Sequence, residues 1–391
     1  MRLFIHKLDC IIDPYSNNLV SQEPVLFAKA LVSFPESPFS QVILIANQRK
    51  HLASINGHDI IAATVEDILS LQFSICSDDV WILWGGWIDL LNMLPRPQAE
   101  AVVKLHSMWR MSTAARMTVC TDMRFPFKRV NFVHAGRVEL HGVYDEPVLE
   151  LSQCMNLSNE HSVFNNVKWL PLFMLPIYSN VAIEPRHIGA KTVDLIYATR
   201  DWHMLSDSRI NKVIRYYVDS CCRSSFLGEH KHTGNLTNRL SDAQMQLLQS
   251  NCSFDFSVPF YSVPYAMSYA AAHIAIGDQQ YEQYGLIPNR VGEAIVARIA
   301  TFVDCAVDKD RRLFADDAYL SKVSYVHSAE QVQQRIAAFK QHPDIYAAFC
   351  ERQATYLKTR YDIAKHFFAV TYDFINKHKH QHNCDICPCK L

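Results

Sequence analysis

Short apolar runs alternate with longer amphipathic ones through the first half of the chain. Arg2–His6, Gln41–Ala46, Val80–Trp84 and Met117–Thr121 have the length and bulk of buried strands. Between them, Pro24–Phe34 and Ala99–Arg110 space their apolar residues helically, and Glu23-Pro24 reads as a helix start with proline near the first turn. That pattern predicts β-α-β units around a parallel sheet. A less regular stretch follows, with outer strands expected at Val138–Val143, Val148–Leu151 and Lys168–Ile177 before a linker near Ala190. The alternation then restarts. Val193–Ala198, Ser224–Gly228, Ala271–Gly277 and Ala300–Asp304 read as strands, with helices at Ser208–Ser220, Ser241–Gln249 and Asn289–Ile299. From Ala329 to Lys377 the pattern is helical almost throughout, broken at Pro343.

Two β-α-β arrays suit the length. The chain has 391 residues, and single cores stop growing at roughly 250–300 residues. The expected class is α/β. Two Rossmann-like domains, a cleft between them and a C-terminal helical stretch make the GT-B architecture of nucleotide-sugar transferases, at this point an analogy of fold. The expected division is 1–185 and 186–345 for the two Rossmann-like domains, 346–377 for helices packing back on the first domain, and 378–391 for a Cys/His-rich tail.

Composition narrows the choice. Hydrophobic residues at 49% and charged residues at 20% exclude a disordered or collagenous chain. With 38 Lys plus Arg against 39 Asp plus Glu there is no overall basic field, so a polyanion must be met by a local patch. Glycine is scarce, 11 residues in all, and no G-x-G-x-x-G or G-x-x-x-x-G-K-[ST] is present, which disfavours nicotinamide enzymes and P-loop ATPases. Nine of the 12 cysteines are scattered through mostly apolar runs and are expected to be reduced core residues. The opening residues meet Lys7 and Asp9 at once and lack a signal-peptide pattern, and the most apolar stretch, Val80 to Leu94, carries Asp89 and two glycines. The reading is a soluble, cytoplasmic protein with no membrane partner.

Four segments carry candidate chemistry. The first is Cys120-Thr121-Asp122-Met123-Arg124-Phe125-Pro126-Phe127-Lys128-Arg129. A strand ends there in Thr-Asp, and ligands of open parallel sheets gather at the carboxyl ends of strands, so Asp122 stands where a general base is wanted. Phe125 and Phe127 alternate with Arg124, Lys128 and Arg129, a set able to stack on bases and hold phosphates. The plainer alternative is an Asp that caps a turn before Pro126, with the rings in the core.

The second segment is Pro288-Asn289-Arg290-Val291-Gly292-Glu293. Asn289 is a suitable N-cap, and Arg290 and Glu293 share a helix face, one placed for a pyrophosphate and the other for ribose hydroxyls. A solvated ion pair on an amphipathic helix is the competing reading. Upstream, Ile276-Gly277-Asp278 is a second strand end. In the third segment the Val193–Ala198 strand, with Tyr197, delivers Arg200 and then Arg209 and Lys212; the arginine guanidinium groups suit phosphate oxygens, although any surface helix can carry Arg209 and Lys212. Asp308-Lys309-Asp310 has the D-x-D spacing of some metal sites but runs into Arg311 and Arg312, so a solvated loop is expected. Fourth, the tail offers Cys384, Cys387, Cys389, His380 and His382 as zinc ligands, although only half of the usual two-pair pattern is present and a metal-scavenging tail is the commoner explanation.

Taken in order, these segments resemble the DNA β-glucosyltransferases of T-even bacteriophages. The likeness rests on Thr121-Asp122-Met123-Arg124-Phe125-Pro126-Phe127, on Val193-Asp194-Leu195-Ile196-Tyr197 with Arg209-Ile210-Asn211-Lys212, and on Ile276-Gly277-Asp278 followed by Arg290-Val291-Gly292-Glu293, with Ser21-Gln22-Glu23 also fitting. The resemblance implies a GT-B fold and transfer of a sugar from a UDP-sugar to 5-hydroxymethylcytosine in duplex DNA. It implies Asp122 as general base and Glu23 as a carboxylate near the donor sugar. For the UDP-sugar it implies Tyr197, Arg200, Arg209, Gly277, Asp278, Arg290 and Glu293, with Glu293 on the ribose. For DNA it implies Arg124, Phe125, Phe127, Lys128 and Arg129, with the target base flipped out of the stack. Mg or Mn would assist the leaving diphosphate. The host cytoplasm and a monomeric state follow from the same likeness. Trp84 and Trp87 around Gly85-Gly86 depart from the family, and the tail has no counterpart in it. The sugar (glucose or a variant such as arabinose) and the base (hydroxymethylcytosine or hydroxymethyluracil) stay open. So do a glycan or small-molecule acceptor and a non-catalytic nucleotide- or DNA-binding role.

Overall fold

A computed structural model describes the chain apart from residues 8–11, 16–18, 71, 85–95, 121–130, 135–137, 142–147, 157–165, 176–182, 203–204, 230–232, 256 and 380–391. It divides into two units. One takes residues 1–153, 157–172 and the chain from 362 onward; the other takes residues 154–156 and 173–361.

In the first unit the strands are β1 (Arg2–Lys7), β2 (Gln41–Ile45), β3 (Lys50–Ile55), β4 (His58–Ala63), β5 (Val80–Trp84), β6 (Ala115–Cys120), the separate hairpin β7 (Asn131–His134) and β8 (Val138–His141), then β9 (Leu149–Ser152) and β10 (Val167–Trp169). Eight of them form one sheet in the order β10-β9-β6-β5-β1-β2-β4-β3, parallel except for β3 against β4. β5 is buried at all five positions and β2 at four, because helices cover both faces of a parallel sheet and leave no solvent side to alternate with. The edge strand β3 instead exposes Lys50 and His51, charges that discourage further pairing. The β3–β4 hairpin is missing from the elements expected above. Its turn is Asn56-Gly57, with φ of 54° and 79°, the left-handed pair that a two-residue hairpin demands.

The helices of this unit are α1 (Leu19–Ser33), α2 (Val65–Leu69) and α3 (Arg96–Met111). α1 begins earlier than the proline suggested and carries Pro24 inside it. An interior proline costs about 3 kcal/mol. Burial of Val25, Leu26, Phe27, Leu31 and Val32, each contributing about 1.5–3 kcal/mol, outweighs that cost.

The second unit holds β11 (Val193–Asp201), α4 (Asp207–Val213), β12 (Ser224–Glu229), α5 (Gly234–Thr237), α6 (Asp242–Asn251), β13 (Cys252–Asp255), α7 (Val263–Met267), β14 (Ala270–Ala275), α8 (Gln279–Tyr284), α9 (Arg290–Val296), β15 (Ala300–Asp304), α10 (Ala318–Val323), β16 (Tyr325–Val326), α11 (Ala329–Gln341) and α12 (Pro343–Arg360). Its sheet is wholly parallel, in the order β13-β12-β11-β14-β15-β16. The winding reverses between β11 and β14. α4 runs on into a π turn, Ile214–Val218, which buries Tyr216 and Tyr217; Tyr217 donates to the Ile274 carbonyl at 3.1 Å.

α12 belongs to this unit rather than to helices of the first, because it is hooked to the sheet. Tyr346 donates to the Ala271 carbonyl (2.8 Å), Gln353 brackets Thr301 (2.9 and 2.7 Å) and Phe349 packs on Phe302. α13 (Ile363–Lys379) alone returns to the first unit, where Phe367 meets Phe27 edge-on at 5.1 Å and Phe27 meets Trp84 at 5.2 Å. The domain edge therefore falls near residue 172 and again near 361, not at 185 and 345. Among the described cysteines none is in a disulfide, and Cys76 and Cys221 are exposed rather than in the core. No helix among the described residues is long and apolar enough to cross a membrane.

Two strand histidines sit among the buried residues, His6 in β1 and His273 in β14. Burial pushes His6 from the ordinary 6.5 down to about 3, with His106 adding to the effect. Burial likewise pushes His273 down to about 4, opposed by its bond to Ile196 and aided by Arg290 and Arg209. Below about pH 6.5 the unfolded chain takes up protons that the folded chain refuses. Stability is expected to fall as pH drops from about 6.5 toward 4, by up to about 1.4 kcal/mol per pH unit for each histidine. Denaturant unfolding across this range checks it, and His273→Asn should flatten the dependence; stability that holds level or rises toward pH 5 contradicts it.

Candidate functional site at the carboxyl edge of the second sheet

Where a doubly wound sheet reverses, the loops on either side part and leave a crevice outside the strand ends. In the second unit β11 and β14 border that point, and six of the expected site residues are brought together beside it. β11 contributes Tyr197. The loop after β14 contributes Gly277 and Asp278, α4 contributes Arg209, and α9 contributes Arg290 and Glu293.

Arg290 donates from Nε to the Ala198 carbonyl at 3.2 Å and from a terminal nitrogen to Glu293, so one guanidinium ties α9 to β11. The Glu293 side chain is 0% exposed and that of Arg290 23% exposed. This is not a solvated pair. A buried carboxylate costs several kcal/mol unless it is paired and hydrogen-bonded, so the two residues form a built feature of the crevice. Asn289 is not the cap that its identity suggested. Its backbone is already helical (φ −57°, ψ −22°) and its side chain makes no capping bond. α9 is instead held close by Gly292, where an added Cβ would strike the Phe173 carbonyl oxygen.

Arg209 sits in the first turn of α4, whose N-cap Ser206 accepts from the Arg209 amide at 3.3 Å. Its Nε donates to the Tyr197 hydroxyl at 3.1 Å, and its guanidinium lies over the Tyr281 ring, 5.3 Å from the centre. Tyr281 comes into place because Asp278 caps α8, accepting from the Gln280 and Tyr281 amides at 3.0 and 3.2 Å. It fits only because residue 277 is glycine, since a Cβ there would collide with the Tyr281 side chain. Asp278 and Gly277 thus shape the crevice through Tyr281. Among the described residues no carboxylate lies at ion-pair distance from Arg209, although Asp278 acts on its charge from further off, and the guanidinium can still take an anion.

Two residues, Tyr281 and His273, were missed in the sequence, and Lys212, singled out there as a basic residue beside Arg209, takes a structural role. Lys212 forms a buried ion pair with Asp304 at 2.7 Å and another with Glu282, and Tyr216 donates to Asp304 at 3.0 Å. This network pins α4, α8 and the end of β15 together. Tyr281 carried no sequence signal. His273 sits in Ala270-Ala271-Ala272-His273-Ile274-Ala275, where a lone histidine reads as core. The D-x-D motif is not a solvated loop either. Asp308 is buried, accepting from the Tyr325 hydroxyl (2.5 Å) and the Arg312 and Leu313 amides (both 2.9 Å), while Lys309 and Asp310 are exposed, Asp310 against Arg312.

The described residues contain no group of three or more His, Cys, Asp or Glu able to hold a metal. Near the crevice Asp278 is spent on a cap and Asp304 and Glu282 on Lys212, so these side chains do not fit a protein-held Mg or Mn site. In the first unit Glu23 is buried within α1. β6 ends at Cys120, and Asp122, Arg124, Phe125, Phe127, Lys128 and Arg129 lie outside the described residues. So do Gly85-Gly86, the Arg200 side chain and the tail candidates Cys384, Cys387, Cys389, His380 and His382.

No family model matches the chain, and no curated protein sequence does either. Solved structures do. They give the chain the GT-B fold of nucleotide-sugar transferases, as in an O-GlcNAc transferase mutant of Thermobaculum terrenum (TM-score 0.52, 9% identity, 96% of this chain and 68% of that one). More specifically, the fold is that of DNA β-glucosyltransferase. A crystal structure of that DNA-modifying enzyme, determined with and without uridine diphosphoglucose, aligns over 96% of this chain and 100% of its own at TM-score 0.67 and 17% identity. The T4 phage enzyme in complex with UDP and Mn2+ aligns over 98% and 100% at TM-score 0.61 and 16% identity.

The Gly292 contact gives a direct check on how α9 is held. Gly292→Ala is expected to cost about 1–3 kcal/mol, because backbone must shift to admit the methyl group. Thermal unfolding measures it, and an unchanged melting temperature would show that α9 is not held in this way.

Proposed function

We propose that the protein is an inverting glycosyltransferase that moves a sugar from a UDP-sugar to the hydroxymethyl group of 5-hydroxymethylcytosine in duplex DNA. The observation that carries the donor half is the buried Glu293 carboxylate joined to Arg290 at the reversal of the second sheet. A nucleoside diphosphate needs both partners. Its ribose hydroxyls are donors that a carboxylate accepts, and its phosphates are anions suited to a planar, permanently charged fork. Arg209, backed by the Tyr197 hydroxyl and the Tyr281 ring, supplies a second cation on the same crevice. The fold shared with DNA β-glucosyltransferase, over nearly the whole of both chains, supports the same reading.

The reaction then assigns one task to each group. Asp122 takes the proton of the 5-hydroxymethyl oxygen as that oxygen attacks the anomeric carbon from the face opposite UDP. The new C–O bond forms while the bond from the anomeric carbon to the β-phosphate oxygen breaks, which inverts the anomeric centre and releases UDP. Arg209 and Arg290 stabilise the charge gathering on the leaving diphosphate, an interaction stronger in the transition state than in the ground state. Glu23 stands near the sugar. Arg124, Lys128 and Arg129 hold the DNA backbone, with Phe125 and Phe127 stacking near the flipped base. This cluster of cations and rings is what favours a DNA acceptor over a glycan.

Three results test the proposal. Glu293→Gln is expected to weaken UDP binding by about 10- to 100-fold in calorimetry, since a charged acceptor becomes a neutral one. Asp122→Ala should leave UDP binding intact and lower transfer by about 100- to 10,000-fold. Hydroxymethylcytosine-containing duplex DNA, incubated with the protein and each of a panel of UDP-sugars with Mg²⁺, should gain the mass of one sugar on a nucleoside digest. UDP binding with no added mass from any donor would sink the DNA reading and favour another acceptor. Normal transfer by Asp122→Ala would sink the mechanism.

A further inference from the structure

His273 lies in β14, the strand beside the β11 that carries Tyr197, and the proposed reaction gives it no task. Its imidazole is buried, and Nδ1 is 3.0 Å from the Ile196 carbonyl oxygen of β11. A carbonyl only accepts, so Nδ1 carries the proton and donates. Nε2 therefore holds a lone pair, and that atom is buried without a partner. An orphaned buried acceptor is costly, and a leucine of similar size would avoid the cost. The imidazole is thus a poor choice for stability alone, which turns attention to what its donor does.

The answer lies in the edge of β11. The register of β11 with β14 runs through Val193↔Ala270 and Leu195↔Ala272. Past it, side chains reach the β11 carbonyls: His273 takes Ile196 O, and Arg290 takes Ala198 O at 3.2 Å. Alternate carbonyls of a strand point to the same edge, so the two side chains continue, one after the other, along the edge that opens into the crevice. Between these anchors sits Tyr197, whose hydroxyl holds Arg209. A rotation of the Ile196–Ala198 peptides would move the Ala198 carbonyl and the Tyr197 hydroxyl together, and with them both arginines.

We infer that His273 is a positioning residue for the donor crevice, its Nδ1–H fixing the Ile196 peptide so that Tyr197 and Ala198 present Arg209 and Arg290 at the spacing a diphosphate requires. This rests on the reading of the crevice as a UDP site. It assigns His273 no contact with the nucleotide.

Three variants of the full chain separate the possibilities, with UDP affinity from calorimetry and melting temperature measured on each. His273→Asn places an amide nitrogen where Nδ1 was, His273→Gln places one where Nε2 was, and His273→Leu supplies neither. His273→Leu and His273→Gln are expected to weaken UDP binding roughly tenfold, and His273→Asn to bind within about threefold of the parent protein. If all three bind UDP like the parent and differ only in melting temperature, His273 positions nothing. If glutamine restores binding and asparagine does not, the working atom is Nε2 and the inference is overturned. Should the leucine variant fail to fold, the asparagine and glutamine pair still decides. A parent protein that does not bind UDP overturns the donor-site reading itself, and this role with it, whereas parent binding with equal affinity in all variants overturns this role alone.

Discussion

A carboxylate without any exposed surface governs the second unit. Glu293 cannot stay ionised in the interior unless a cation meets it, and Arg290 is that cation. Because the same guanidinium also takes the Ala198 carbonyl, the cost of burying a charge is offset by fixing α9 against the end of β11. Gly292 permits the approach by leaving room for the Phe173 carbonyl. The crevice at the sheet reversal inherits its shape from this one interaction.

The second cation of the crevice is held in a different way. Arg209 faces two phenol rings, which orient it without neutralising it. Lys212, a single turn further along α4, is instead consumed by Asp304 and Glu282, and its task is to hold α8 and β15 in place. Two basic residues on one short helix thus take opposite roles. Their surroundings decide which charge is left for a ligand.

The donor half of the proposed chemistry is built on strand ends and short helices whose side chains lock one another, the arrangement that keeps a leaving-group site preorganised. The acceptor half of the proposal rests on the sequence alone, on Asp122, Arg124, Phe125, Phe127, Lys128 and Arg129 after β6. In general, a fold serves many functions when a rigid scaffold carries loops that can change with the partner. An overall charge near zero is consistent with such a division, since the basic residues need only be gathered where the polyanion is met.

The sequence by itself determined the repeating β-α-β plan, because a parallel strand covered on both faces must be apolar at every position, and runs such as Val80–Trp84 have no other use. It also marked Arg290 and Glu293 as sharing a face, since helical spacing is a local matter. Asn56-Gly57 is a turn signal as well, but β3 before it carries exposed Lys50 and His51 and lacks the apolar run of the other strands, so the hairpin shows only in the structure. The rest depended on packing. Whether the Arg290–Glu293 pair is solvated or buried, whether Asp308 faces water or Tyr325, and whether Lys212 or Arg209 is taken up by a carboxylate are set by residues distant in the chain. Pro24 shows the same limit: local rules make it a helix start, but the apolar face that follows it contributes more than one lost hydrogen bond takes away. Spacing fixes which side chains can act together; only the tertiary structure fixes the dielectric around them, and with it what they can do.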